Sequence, residues 1–189
     1  MKQAPVLTDR DKQRVLQHIA RSSYPARNRC MMQLSWLAGM RVGEVAALNV
    51  GDVVGLDGEV RSEIQLKATQ TKGDKARTVL LNSQLRGEIS SYVNSMEKSS
   101  ERTRPLITSK TGKRFSANGL CQVMLHLYDA AGLDHATSHS GRRTFISTLA
   151  HKGINVRVLA ALAGHSSIAT TQRYIDLNEN VMREAVEMV

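Results

Sequence analysis

Apolar residues recur at helical spacing through most of this chain and alternate as in a strand only in one stretch before its middle. Thr8, followed by Asp9 to Asp11 and then QRVLQHIA, predicts a capped first helix. After the SSYPAR break, Asn28 to Leu48 reads as helix, interrupted by Gly39 and Gly43 so that a break or close packing falls near Arg41. The segment NVGDVVGLDGEVRSEIQLKAT reads as turn, strand, LDG turn and strand, TKGDK as a further turn and ARTVLL as a further strand. A small three-stranded antiparallel sheet is therefore expected. Helices return with Asn82 to Met96, and SKTGKRF separates that helix from one capped by Ser116 or Asn118 and running to about Gly132. His139 to Lys152 predicts another helix, ended by Gly153. Asn155 caps VRVLAALAG, and Ser166 or Ser167 opens a short helix carrying Thr170 to Tyr174. The tail ENVMREAVEMV places Val181, Met182, Ala185, Val186 and Val189 on one apolar stripe. The fold class is α+β, mainly α.

Composition narrows the partners. The 189 residues suit one domain, and a hydrophobic share of 41% is enough for a core without disulfide or metal staples. Aromatics make up only 4%, so the packing is expected to be aliphatic. A surplus of 26 Lys+Arg over 17 Asp+Glu, net +9, favours a polyanion, nucleic acid ahead of an anionic membrane surface. Cys30 and Cys121 form no CxxC and no framework, as expected of reduced thiols in an intracellular protein. The opening MKQAPVLTDRDKQRV has no apolar signal core, and no run of about 18 apolar residues occurs. The protein is expected to be soluble and cytoplasmic.

Charge becomes specific where it could hold a phosphate. HSGRR puts His139 and Arg142 on one helix face. MRVGE sets Arg41 beside two glycines, TKGDK sets Lys72 in a tight turn, and GHSSIATTQRY joins His165 to Tyr174. Attack on a phosphodiester builds negative charge on the non-bridging oxygens, which a planar guanidinium fork matches. A fixed pair of guanidiniums can do electrostatically what a divalent cation does elsewhere. The departing 5′ oxygen needs a proton, which a lysine acidified by neighbouring arginines can give. The phenol needs a base, and an imidazole is suited to that. A phosphotyrosine conserves the bond energy, so rejoining needs no ATP. No cofactor and no metal is expected.

At these residues the chain resembles the tyrosine recombinase family of phage integrases, whose motifs AGxRxxE, TKGxK, HxxR, LxGH and TTxxY are matched in order by AGMRVGE, TKGDKAR, HSGRR, LAGHSS and TTQRY. The resemblance implies a helical catalytic domain over residues 8–177, preceded by a short arm, 1–7, and followed by an amphipathic helix, 178–189, that docks on a neighbouring protomer. It implies a site-specific recombinase that acts through a 3′-phosphotyrosine on double-stranded DNA, as a tetramer assembled on that DNA. Arg41 and Arg142 would clamp the scissile phosphate, Lys72 would protonate the 5′ oxygen and His139 would assist proton transfer at the tyrosine. His165 would bond a phosphate oxygen, Tyr174 would be the nucleophile and Glu44 would help hold the site. Lys75, Arg77, Arg143 and Arg173 would contact DNA. Two departures stand out. The family's N-terminal DNA-clamping domain is expected to be absent, and Gly141-Arg142-Arg143 stands where relatives often have Leu-Arg-His.

Each residue alone has a plainer reading. Tyr174 could pack a helix, His165 could sit at a helix C-terminus, Lys72 and Lys75 could solvate a turn, and His139 with Arg142 could be a surface pair. The plain readings fail together, because five motifs in the right order rarely coincide. His135, His139 and His165 could suggest zinc, but no HExxH or cysteine cluster accompanies them. His18, His126 and His151 are expected to be structural. The rival functions are a type IB topoisomerase, in which the cleaved end rotates instead of changing partner, and a catalytically idle DNA-binding regulator of the same fold.

Overall fold

The computed structural model describes residues 3–71, 73–96, 101–174, 183, 186 and 187. It divides into two compact units, Met1–Phe145 and Ile146–Val189.

In the first unit, α1 (Asp9–Ala20) starts at Thr8, whose Oγ accepts from the Asp11 N–H at 3.1 Å while the Asp11 carboxylate accepts from the Thr8 N–H at 2.9 Å. That reciprocal pair satisfies two donors the helix would otherwise leave unpaired. Next, α2 (Pro25–Ala38) carries buried residues on every side, among them Cys30, Met31, Met32, Leu34 and Trp36, and it packs against α1 and α5 (Ser83–Asn94). Only Pro25 and Arg29 of this helix are exposed, so it sits at the centre of the core without an amphipathic stripe. It stops at Gly39, which adopts the left-handed φ of 60°. The chain then enters α3 (Val42–Ala47), which packs on α6 (Ala117–Ala130). Asn82 and Ser116 cap α5 and α6 through their side-chain oxygens.

The sheet departs from expectation. The described residues pair as two strands, β1 (Glu63–Leu66) and β2 (Arg77–Leu80), antiparallel with Glu63 opposite Leu80 and Leu66 opposite Arg77. The valine-rich stretch expected as the first of three strands instead forms a short helix, α4 (Val50–Val53). The reason is local: the Asn49 N–H donates to the Asp52 carboxylate at 2.8 Å, starting a helical turn before the chain can extend. The LDG turn does form, closed by a lone bridge between Val54 and Val60.

The boundary between the units falls within α7 (Ser140–His151). In the second unit, α8 (Val156–Ala163) is capped by Asn155 and ends at Gly164, whose N–H donates to Ala161 while that of His165 donates to Ala160. These two bonds make a Schellman ending, and Gly164 supplies the left-handed residue it requires. α9 (Ile168–Gln172) packs on α8, and Ile146, Leu159, Ala160, Ala163 and Thr171 are buried. Among the described residues no helix is long and apolar enough to cross a membrane.

Candidate active site

Arg41 sits at the α2–α3 break, as its flanking glycines predicted. Its backbone N–H and its Nη1 both donate to Glu44, each at 2.8 Å, so the acid three residues on folds back over the start of α3. Glu44 is only 1% exposed. An isolated carboxylate at that depth would be costly, and a second cation offsets it. Arg77, from β2, meets Glu44 as a fork, with Nε donating to Oε1 at 3.1 Å and Nη2 to Oε2 at 2.7 Å. Burial alone would raise the Glu44 pKa. The Arg77 hydrogen bonds and charge, with those of Arg41 behind them, outweigh burial and hold the carboxyl below the usual range.

Arg142 lies in the first turns of α7, 4% exposed, and its Nη1 donates to the Gly39 carbonyl at 2.7 Å. The buried guanidinium is thereby fastened to the C-terminal end of α2, just before Arg41. Gly141 permits this closeness: a Cβ there would meet Ser35 Oγ at 2.4 Å and the Trp36 ring at 2.6 Å. Gly39 has a similar constraint, because a Cβ there would meet the Phe145 ring at 2.5 Å. Thr144 Oγ1 accepts from the Leu7 N–H at 2.8 Å, and Arg143 donates to the Gln3 side chain. The stretch before α1 is therefore held to α7. His139, directly before α7, is exposed, with its N–H on Thr137 Oγ1 at 3.2 Å.

The second unit holds the other two candidates together. His165 and Tyr174 face one another with ring centroids 5.7 Å apart and planes 21° apart. The His165 Nδ1 is hydrogen-bonded to Thr171 Oγ1 at 2.8 Å, which fixes the plane of the imidazole. Ser147 Oγ donates to the Tyr174 carbonyl at 3.2 Å, tying the end of the tyrosine segment to α7.

Thus Arg41, Glu44 and Arg142 assemble in one unit, and His165 and Tyr174 in the other. Lys72 and most of the tail 178–189 lie outside the described residues. Lys75 and Arg173 are exposed. Arg77, expected as a DNA contact, has its guanidinium on Glu44, with its side chain 10% exposed. Sequence reading missed three supports: Arg77 on Glu44, the Gly39 carbonyl under Arg142, and Thr171 on His165. Only the last had a local signal, a threonine one helical turn before the tyrosine in TTQRY.

The chain is 26% identical over 166 residues to tyrosine recombinase XerC of Pelobacter propionicus, covering 87% of this chain and 52% of that protein. It is 31% identical over 179 residues to XerC of Roseiflexus castenholzii, covering 91% and 55% respectively. It spans about half the length of the curated relatives it matches. The crystal structure of XerA recombinase superposes with a TM-score of 0.75 at 26% identity, covering 99% of this chain and 64% of that one. Residues 5–181 match the phage integrase family, and the chain belongs to that family.

Proposed function

We propose that this chain is the catalytic part of a site-specific tyrosine recombinase acting on double-stranded DNA. The observation that carries the reading is the anchoring of two arginines at the α2–α3 break, Arg41 at the start of α3 on Glu44 and Arg142 on the Gly39 carbonyl that ends α2. Such a pair, set before substrate arrives, is suited to the charge that develops on a pentavalent phosphorus. The Tyr174 oxygen attacks the scissile phosphorus, its proton passing to a base, with His139 as the assisting group. The bond from phosphorus to the 5′ oxygen breaks and the leaving oxygen takes a proton from Lys72, giving a 3′-phosphotyrosine and a 5′ hydroxyl. Attack by a 5′ hydroxyl of a partner strand reverses the step and restores the phenol. His165 bonds a phosphate oxygen, while Lys75, Arg143 and Arg173 contact the DNA backbone. The similarity to two XerC tyrosine recombinases and to XerA recombinase supports the same assignment. The assembly proposed on DNA is a tetramer, with the tail 178–189 docking on a neighbouring protomer.

The test uses nicked suicide duplexes carrying a randomised site, in the presence of EDTA. The wild-type chain should become covalently joined to DNA, and Tyr174→Phe should abolish the adduct. Sequencing the joined ends would give the target site. No adduct from the wild type on any duplex, or an equal yield from Tyr174→Phe, would overturn the proposal.

A further inference from the structure

Glu44 stands between two guanidiniums, and the two contacts differ in kind. Arg77 gives it a parallel fork and is the more deeply set, with its side chain 10% exposed against 26% for Arg41. One carboxylate and two guanidiniums leave one positive charge over. Without Arg77 the same buried carboxylate would be neutralised by Arg41, and the surplus would vanish. We propose that Arg77 is a positioning residue that offsets Glu44 and so leaves Arg41 its charge for the scissile phosphate; this rests on the recombinase reading above. Arg77 also begins β2, so the same ion pair fastens that strand to the start of α3.

A lysine in place of Arg77 would keep the charge but lose the fork. A glutamine would lose both. Removing Glu44 at the same time would restore the charge balance around Arg41, and this double change separates charge balance from direct DNA contact or from simple support of the fold.

The experiment measures the rate of covalent adduct formation on the nicked duplex for the wild type, Arg77→Gln, Arg77→Lys and Arg77→Gln with Glu44→Gln. Arg77→Gln should be slower by about 10- to 100-fold. The double variant should recover most of that loss, and Arg77→Lys should fall in between. The Arg77→Gln deficit should also shrink as the pH is lowered, because protonating Glu44 returns the charge to Arg41. An Arg77→Gln rate equal to the wild type, or a double variant no faster than Arg77→Gln, would overturn the proposal. Should Arg77→Gln fail to fold by circular dichroism, the double variant and Arg77→Lys decide the matter, since neither leaves a buried carboxylate short of a cation. A wild type that forms no adduct defeats the recombinase reading instead. The link between Arg77 and Glu44 is then still read from unfolding against pH, where the stability lost on acidification should be smaller for Arg77→Gln than for the wild type.

Discussion

The candidate phosphate ligands and the candidate nucleophile are built in opposite ways. In the first unit Glu44 and Arg142 are almost wholly buried, and each is bonded to a residue distant in sequence, Arg77 for the one and Gly39 for the other. In the second, His165 and Tyr174 are half-buried, sit at the ends of α8 and the five-residue α9, and find their named partners, Thr171 and Ser147, inside the same unit. A clamp for developing charge gains from being fixed in advance in a dry setting. A nucleophile that becomes a phosphoester and then reverts has to be reachable. The contrast therefore separates what must stay still from what must exchange.

The strongest way to break that comparison is to truncate one member of each group. Arg142→Ala should slow adduct formation by about 1,000-fold and lower stability in urea by about 1–3 kcal/mol, because the Gly39 carbonyl loses its buried donor. His165→Ala should slow it by about 100-fold while costing no more than about 1 kcal/mol in urea, for the lost bond to Thr171. If both variants lose stability alike, the division between a rigid and an accessible group fails. Next in size, Glu44→Ala should cost about 3 kcal/mol, since it leaves two guanidiniums facing one another without the carboxylate between them. Glu44 also sets a pH signature. Its pKa is lower folded than unfolded, so its contribution is present above the unfolded value of about 4.3 and is lost as the pH falls through the depressed folded value. Thermal melts of the wild type and Glu44→Gln should therefore diverge above that region and converge in stronger acid.

Smaller effects sharpen the picture. Gly141→Ala should destabilise by about 1–3 kcal/mol, measured by urea unfolding, because the added methyl collides with Ser35 and Trp36. Thr171→Val keeps the shape of a fully buried side chain and removes the bond to His165. It should cost no more than about 1 kcal/mol and change the imidazole nitrogen shifts seen by NMR.

Much of this was readable from residues close together in the chain. Thr8, Asn82, Ser116 and Asn155 cap helices where their own neighbours demand it, and Gly39 and Gly164 end helices as a left-handed residue should. The order of the motifs around Arg41, Arg142, His165 and Tyr174 was likewise legible. What failed was decided by competition or by distance. The segment NVGDVV reads as a turn leading into a strand, but the capping of Asn49 by Asp52 starts a helix first. Arg77 looked like a surface cation because its partner lies far off in sequence, and a charge on a strand carries no sign of which way it faces.

The contact of Gly141 with Trp36 has a consequence for how such a sequence can change. A larger residue before the second arginine, leucine for instance, has no room while the indole fills the space and donates to Tyr128 at 3.1 Å. A lineage could cross between the two forms only in a set order. Shrinking Trp36 first would leave a cavity that a larger residue at 141 could later fill, whereas enlarging position 141 first would push α7, and Arg142 with it, away from Gly39. The path is open in one direction of steps and closed in the other, so the two positions should drift as a pair.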